Sequence, residues 1–211
     1  MNSLEGIMIV GLTGQTGAGK THVSSVFAEK GFSVINADNI SRIVVQSGKP
    51  CLAELCEFFG EEILNDDGSL NRSLLGQIVF TDKSKLELLN SIIYPYITAE
   101  ILQTIRNLYD DGKRLILLDA PTLFESRADD FCELIISVVS KENLRLERIM
   151  KRDNISEEDA LNRMNSQLEE EFFKENSDFI IKNNYDLNNL YDVSEEVADK
   201  IKYYYNNKYA E

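Results

Sequence analysis

Residues 14–21 read Gly-Gln-Thr-Gly-Ala-Gly-Lys-Thr, an order of glycines, lysine and hydroxyl suited to wrapping a polyphosphate in backbone N–H groups. Gly14 and Gly19 permit backbone angles or close approaches that a Cβ would obstruct, and Gly17 adds further freedom. Gln15, Thr16 and Ala18 supply the intervening peptide groups. Lys20 reaches the β- and γ-phosphates, and the Thr21 hydroxyl can take a magnesium coordination position.

Other residue types extend the chemistry to phosphoryl transfer. Asp38 follows Ser33-Val34-Ile35-Asn36. A carboxylate there can orient an acceptor hydroxyl and take its proton, while a helix N-cap or a ligand to magnesium-bound water are equally open readings. Asp119 ends Leu115-Ile116-Leu117-Leu118 and precedes Ala120-Pro121; it either binds magnesium through water or organises its loop. Glu125 either contacts an acceptor or satisfies local backbone donors. Arg145, Arg148 and Arg152 recur at spacings of three and four along one broad helical face. Guanidinium groups so placed hold a triphosphate and neutralise moving charge; the alternative is solvated helix charge. His22, the one histidine, reads as a cap or cover on the first helix rather than a base.

These residues need a scaffold. Ile7–Leu12, Phe32–Asn36, Arg114–Asp119, Leu134–Val139 and Phe179–Lys182 are short runs dense in Ile, Leu and Val. Most are separated by helix-capable segments, the signature of a parallel sheet covered on both faces. Thr21–Glu29 reads as a helix stopped by Gly31, with its N-terminus aimed at the phosphates. Between the second and third strands, Ile40 to Tyr109 carries helical stretches at Cys51–Phe59, Ser73–Val79, Lys83–Ile92 and Ile97–Tyr109. Gly48-Lys49-Pro50, Asp66-Asp67-Gly68 and Tyr94-Pro95 punctuate them. That is more than a crossover, and suits a helical lobe near the strand carboxyl ends. Ser140–Asp153 reads as a helix, a further one opens near Ser156 with Asp159 in a variant capping arrangement, and Val193–Tyr205 closes the chain.

Composition narrows the class. A chain of 211 residues, 43% hydrophobic and 27% charged, suits one substantial core with a smaller lobe. The absence of a long apolar run and of a basic start at Met1-Asn2-Ser3-Leu4 leads to the expectation of a cytoplasmic protein with no membrane partner. A net charge of −14 argues against a broad nucleic-acid footprint. Cys51, Cys56 and Cys132 read as reduced thiols rather than a zinc site. The chain lacks the Asn-Lys-x-Asp and Asp-x-x-Gly patterns of a GTPase. A monomer is expected, with self-association left open.

In sum the chain resembles the dephospho-coenzyme A kinase family. The resemblance runs through the phosphate loop, Val34-Ile35-Asn36-Ala37-Asp38, Phe59-Gly60, Asp67-Gly68-Ser69-Leu70-Asn71-Arg72, Tyr94-Pro95 and Pro121-Thr122-Leu123-Phe124-Glu125. It continues with Arg148/Arg152-Asp153, Gln167 and Asp178-Phe179-Ile180-Ile181-Lys182-Asn183. It implies an α/β phosphate-loop kinase fold with a five-stranded parallel sheet, built as a core (7–39 and 113–205, with a mobile lid near 143–175), a helical acceptor-binding insertion (40–112) and a tail (206–211). It also implies ATP-dependent phosphorylation of the ribose 3′-hydroxyl of dephospho-coenzyme A, with ATP and magnesium bound. On that mapping Asp38 activates the hydroxyl, Lys20 clamps phosphate, Thr21 holds magnesium (with Asp38 or Asp119 acting through water), and Arg148 and Arg152 belong to the lid. Asn183 lies near the adenosine of ATP, and Arg72, Tyr94 and Glu125 belong to the acceptor region. Departures are Asn36 where the family often has Asp, Tyr94 where it often has His, Thr122 in place of Leu, and Thr21-His22 in place of Ser-Thr. A kinase for another small metabolite, or an ATP-dependent switch protein, is the competing reading.

Overall fold

The computed structural model describes residues 5–209. The expectations about Met1–Leu4 and the last two tail residues lie outside them. Five strands, β1 (Met8–Gly14), β2 (Ser33–Asn36), β3 (Leu115–Asp119), β4 (Leu134–Val139) and β5 (Phe179–Lys182), form one sheet in the order β2-β3-β1-β4-β5. β1 is central and pairs in parallel with β3 and β4, and β4 with β5. The first strand runs two residues past its expected end, because Thr13 and Gly14 continue the ladder opposite Ser137 and Val138.

The chain falls into two compact units, Asn36–Asn107 and the remainder. In the sheet-bearing unit, Met8, Val10 and Leu12 alternate along β1 and are fully buried, and they cluster with Val23 and Phe27 of α1 (Lys20–Glu29). Leu190, Val197, Ala198 and Ile201 of α9 (Leu187–Tyr209) complete that layer. Every residue of β1 except Ile9 is buried, as expected of a central parallel strand covered on both faces. The helix expected at 193–205 is longer at both ends. It includes 206–209, assigned above to a tail, because Tyr205 Oη donates to the Gly6 carbonyl (2.8 Å) and Tyr209 Oη to Glu133 (2.8 Å). Docked at its last turns, the helix does not fray there.

The Asn36–Asn107 unit contains α2 (Ala37–Ile43), α3 (Pro50–Phe59), α4 (Arg72–Phe80) and most of α5 (Lys83–Asp110). Proline opens α3, where its missing N–H costs nothing. Asn65–Ser69 turns through Gly68 at φ +75°, and Asp67 accepts from both the Ser69 N–H and hydroxyl. The Asn71 side chain then accepts the Leu74 N–H at 3.0 Å and caps α4. Tyr96 Oη donates to Glu54 at 2.7 Å, tying α5 to α3. Two helices are expected around Tyr94-Pro95, yet α5 is continuous with Pro95 inside it. Pro95 and Ser91, the residue four back that loses its hydrogen-bond donor, are exposed. Water can therefore serve that carbonyl, while buried Ile92, Ile101 and Ile105 hold the helix. Among the described residues, no helix is long and apolar enough to cross a membrane.

Candidate active site

At the carboxyl end of β1 the chain enters the glycine loop and leaves it as α1. Gly14 has φ +146°, and a Cβ there would stand 2.3 Å from the Val138 carbonyl oxygen. At Gly19, φ is +101° and a Cβ would lie 2.4 Å from the Asn183 side-chain nitrogen. The loop therefore passes too close to β4 and to the residue after β5 for any larger side chain. Gly19 caps α1, whose first turn holds no acidic residue. The positive end of the helix, with its unpaired first-turn N–H groups, is thus left for an anion.

Four successive peptide groups of the loop are each held by a side chain. The Thr16 N–H donates to Gln167 Oε1 at 2.6 Å. Arg145 Nε donates to the Thr16 carbonyl at 2.9 Å, Arg148 Nη1 to the Gly17 carbonyl at 3.3 Å, and Asn183 Nδ2 to the Ala18 carbonyl at 2.8 Å. In a planar trans peptide the carbonyl and the following N–H point in opposite directions. Pinning the Thr16 and Ala18 carbonyls on one side therefore turns the Gly17 and Gly19 N–H groups to the other. That is the arrangement of an anion-binding nest. Gln15 is anchored from its own N–H to the Val138 carbonyl at 3.1 Å, and its Oε1 is buried.

The pinning side chains are themselves organised. Arg145 and Arg148 lie on α6 (Glu142–Asp153), one helical turn apart. Arg145 is buried, and burial lowers its pKa from the ordinary guanidinium value. Arg148 also donates to Ser140 Oγ at 3.1 Å, and Ser140 Oγ donates to the Asn183 carbonyl at 2.6 Å. Ser140, expected within the helix, instead stands before it as a buried polar link. Asn183 places its amide nitrogen on the loop and its amide oxygen 3.4 Å from Arg148.

Lys20 is paired with Asp119, and both side chains are largely buried. Asp119 sits opposite Leu12 in the parallel ladder, so strand register delivers the carboxylate to the root of the loop. Thr21 and His22 are exposed in the first turn of α1. Thr13 Oγ1 donates to the Pro121 carbonyl at 3.1 Å, fixing the segment after β3. That segment carries Glu125, whose pKa is raised by burial, and Phe124, whose ring packs against Phe172 and Phe173 of α8 (Glu170–Glu175).

Arg152 departs from its two neighbours on α6. It makes a two-point bond to Asp153 (2.8 and 2.8 Å), and Arg163 of α7 (Glu157–Asn165) donates to the same carboxylate at 2.6 Å. The two-point bond from Arg152, more than the nearby charge of Arg163, lowers the Asp153 pKa. The expected capping pair is present: Ser156 accepts the Asp159 N–H at 3.1 Å and donates to its carboxylate at 2.7 Å.

The remaining candidates belong to the Asn36–Asn107 unit. Asp38 is exposed in the first turn of α2, two residues beyond the end of β2. The N-cap role open to it is taken by Asn36, which accepts the Asn39 N–H at 2.8 Å. Arg72 begins α4, and burial together with nearby Arg42 lowers its pKa. Tyr94 lies half-buried on α5. The structure thus brings together the loop, Lys20, Asp119, Arg145, Arg148 and Asn183, and binds Arg152 to Asp153. Sequence reasoning did not assign Gln167, Ser140 or Arg163 a place in the site. Gln167 was visible only as one residue of a resemblance, and nothing in a lone Ser or Arg marks its partner.

A protein-family model described as dephospho-CoA kinase matches residues 8–189. A dephospho-CoA kinase of Listeria innocua serovar 6a is 37% identical over 199 residues, covering 94% of this chain and 98% of the relative. One of Saccharomyces cerevisiae is 39% identical over 201 residues, covering 93% and 83%. Among solved structures, the dephospho-CoA kinase from Campylobacter jejuni superposes with a TM-score of 0.63 at 26% identity, covering 93% of this chain and 98% of the other.

Proposed function

Because the chain belongs to the dephospho-CoA kinase family, we propose how its residues divide the work of phosphorylating dephospho-coenzyme A. The reaction is the final step of coenzyme A synthesis: phosphate passes from ATP to the ribose 3′-hydroxyl, giving coenzyme A and ADP. The observation that carries the assignment of residues is the loop with its carbonyls tied back and Lys20 at the start of α1.

In this reading the Gly17 and Gly19 N–H groups, the first turn of α1 and Lys20 hold the β- and γ-phosphates. Lys20 exchanges Asp119 for phosphate oxygen. Asp38 accepts the proton of the 3′-hydroxyl as its oxygen bonds to the γ-phosphorus. The bond from that phosphorus to the β–γ bridging oxygen breaks, and ADP leaves with its electron pair. Arg148 serves by holding the loop, and Arg152, from the lid, supplies positive charge over the transferring group. Arg72, Tyr94 and Glu125 position the acceptor. Asn183 supports the nucleotide side by fixing Ala18 and Arg148.

Magnesium suits the hard oxygen donors at the loop, the Thr21 hydroxyl and the Asp119 carboxylate, of which Asp119 is nearly fully buried beside Lys20. When bound it would neutralise phosphate charge. The protein is proposed to act in the cytoplasm as a monomer.

Asp38→Asn and Lys20→Ala separate the roles. Asp38→Asn is expected to bind ATP within about twofold of the parent while single-turnover phosphate transfer falls at least about 100-fold, the scale of general-base loss. Lys20→Ala is expected to weaken ATP binding or transfer. Unchanged transfer in Asp38→Asn at saturating substrates would remove the base from this account.

A further inference from the structure

The side chains that tie back the loop come from different places in the chain, and three of them, Arg145, Arg148 and Gln167, come from residues 143–175, the expected lid. Arg145 and Arg148 approach from α6 and Asn183 from the end of β5, all three through loop carbonyls. Gln167 stands between α7 and α8 and reaches the loop by the opposite polarity, accepting an N–H. Its bond to Thr16 is 2.6 Å and spans 151 residues of sequence. The preceding residue in the loop, Gln15, is fixed at its own N–H by Val138, and the following carbonyl by Arg145. Without Gln167 the peptide joining Gln15 to Thr16 would be the one member of this run with no side chain fixing it.

We propose that Gln167 is a positioning residue for nucleotide binding, its Oε1 locking the Thr16 N–H so that the lid segment sets the conformation of the phosphate loop. This rests on the reading of the loop as the ATP site. The carbonyl of the same peptide accepts the Ala18 N–H at 3.0 Å, so Gln167 supplies the second of its two anchors. A peptide held at the carbonyl alone can tilt, which disturbs the orientation of the Gly17 N–H that follows, and with it the nest. Gln167 touches no phosphate in this scheme; it acts only through the loop. Because its neighbours in the chain begin α8, whose Phe172 and Phe173 pack on Phe124, the same contact links the loop to the segment that carries Glu125.

The test uses the full chain and two substitutions. Gln167→Met keeps length and removes the acceptor; Gln167→Glu keeps an acceptor oxygen. Amide hydrogen exchange at Thr16 and the Kd for ATP are measured together, with the amides of β1 as the reference for global stability. In Gln167→Met the Thr16 amide is expected to exchange about tenfold faster, and the Kd for ATP to rise about fivefold, the scale of one lost hydrogen bond. The β1 amides should keep their parental rates, KM for ATP should rise more than kcat falls, and Gln167→Glu should restore slow exchange at Thr16. Parental ATP affinity in Gln167→Met despite fast Thr16 exchange would overturn the proposal, as would an unchanged Thr16 amide or equal acceleration throughout β1. Failure of the parent protein itself to bind ATP would instead overturn the loop's assignment.

Discussion

Lys20 and Asp119 form a largely buried ion pair, which in the proposed reading holds the lysine until phosphate replaces the carboxylate. A mostly buried ammonium needs a counter-charge, and the carboxylate at the end of β3 supplies it. Removing one partner of such a pair leaves the other buried and uncompensated, at a cost of about 3–5 kcal/mol for fully buried pairs. Asp119→Asn is therefore expected to lower the unfolding free energy by about 3 kcal/mol in urea titrations, and excess ATP should narrow the gap by giving Lys20 phosphate oxygens instead. An equal gap with and without ATP would show that Lys20 never turns to the nucleotide. Gly19 makes the complementary point in backbone terms. Its φ of +101° and the 2.4 Å approach that a Cβ would make to Asn183 predict that Gly19→Ala loses about 1–3 kcal/mol from strain alone. It should also lose ATP binding, read by calorimetry, because the helix no longer starts where the loop requires.

Among the elements, α6 and α7 share one carboxylate. Asp153 is bound by Arg152 beside it and Arg163 across from it, and its pKa is lowered chiefly by the Arg152 bond. A lowered carboxyl pKa contributes stability that is fully present above the unfolded value of about 3.9 and lost as pH falls through the lower folded value. Amide exchange in α7 is thus expected to accelerate below about pH 4 in the parent, and Asp153→Asn should abolish that step; a step that survives the substitution belongs to another group. The central helix α1 gives a plainer case. Phe27 is fully buried and its ring sits 4.9 Å from that of Phe32, so Phe27→Ala should cost about 3–5 kcal/mol with little change in KM. The sheet strands were legible because short β-branched runs bounded by glycine and helix-capable segments have few other readings. The Ser156–Asp159 cap was legible for the same reason: its chemistry is local. What escaped the sequence depended on partners far along the chain. Thr13 and Gly14 extend β1 only because β4 lies beside them, Tyr205 and Tyr209 extend α9 only because Gly6 and Glu133 accept their hydroxyls, and exposure of Ser91, whose carbonyl Pro95 leaves without its helical donor, lets α5 run through Pro95. The Arg145–Arg148–Arg152 row had the spacing of one face. Its division, two residues on loop carbonyls and one on Asp153, is set by tertiary contacts that periodicity does not encode.

On the scale of the whole molecule, a chain with net charge −14 binds two anions. In the proposed reading the opposition is resolved locally, by Lys20, the α1 terminus and Arg152 of α6. Their carriers sit in an acidic background whose self-repulsion salt should screen. Raising ionic strength from about 0.01 M to about 0.1 M shortens the screening length from about 30 to about 10 Å. The thermal midpoint without ligand is accordingly expected to rise over that range; a fall would mean that surface ion pairs such as those of Lys30 and Lys200 outweigh the repulsion. The account as a whole stands on acceptor-dependent phosphate transfer. The most direct measurement incubates the protein with ATP, magnesium and a panel of hydroxyl acceptors that includes dephospho-coenzyme A, and follows ADP formation together with the position of the new phosphate by phosphorus NMR. ADP and 3′-phosphorylated product formed one for one with dephospho-coenzyme A, and little with the other acceptors, is the predicted result. ADP formed at the same rate without that acceptor, or phosphate found on another hydroxyl, would contradict it.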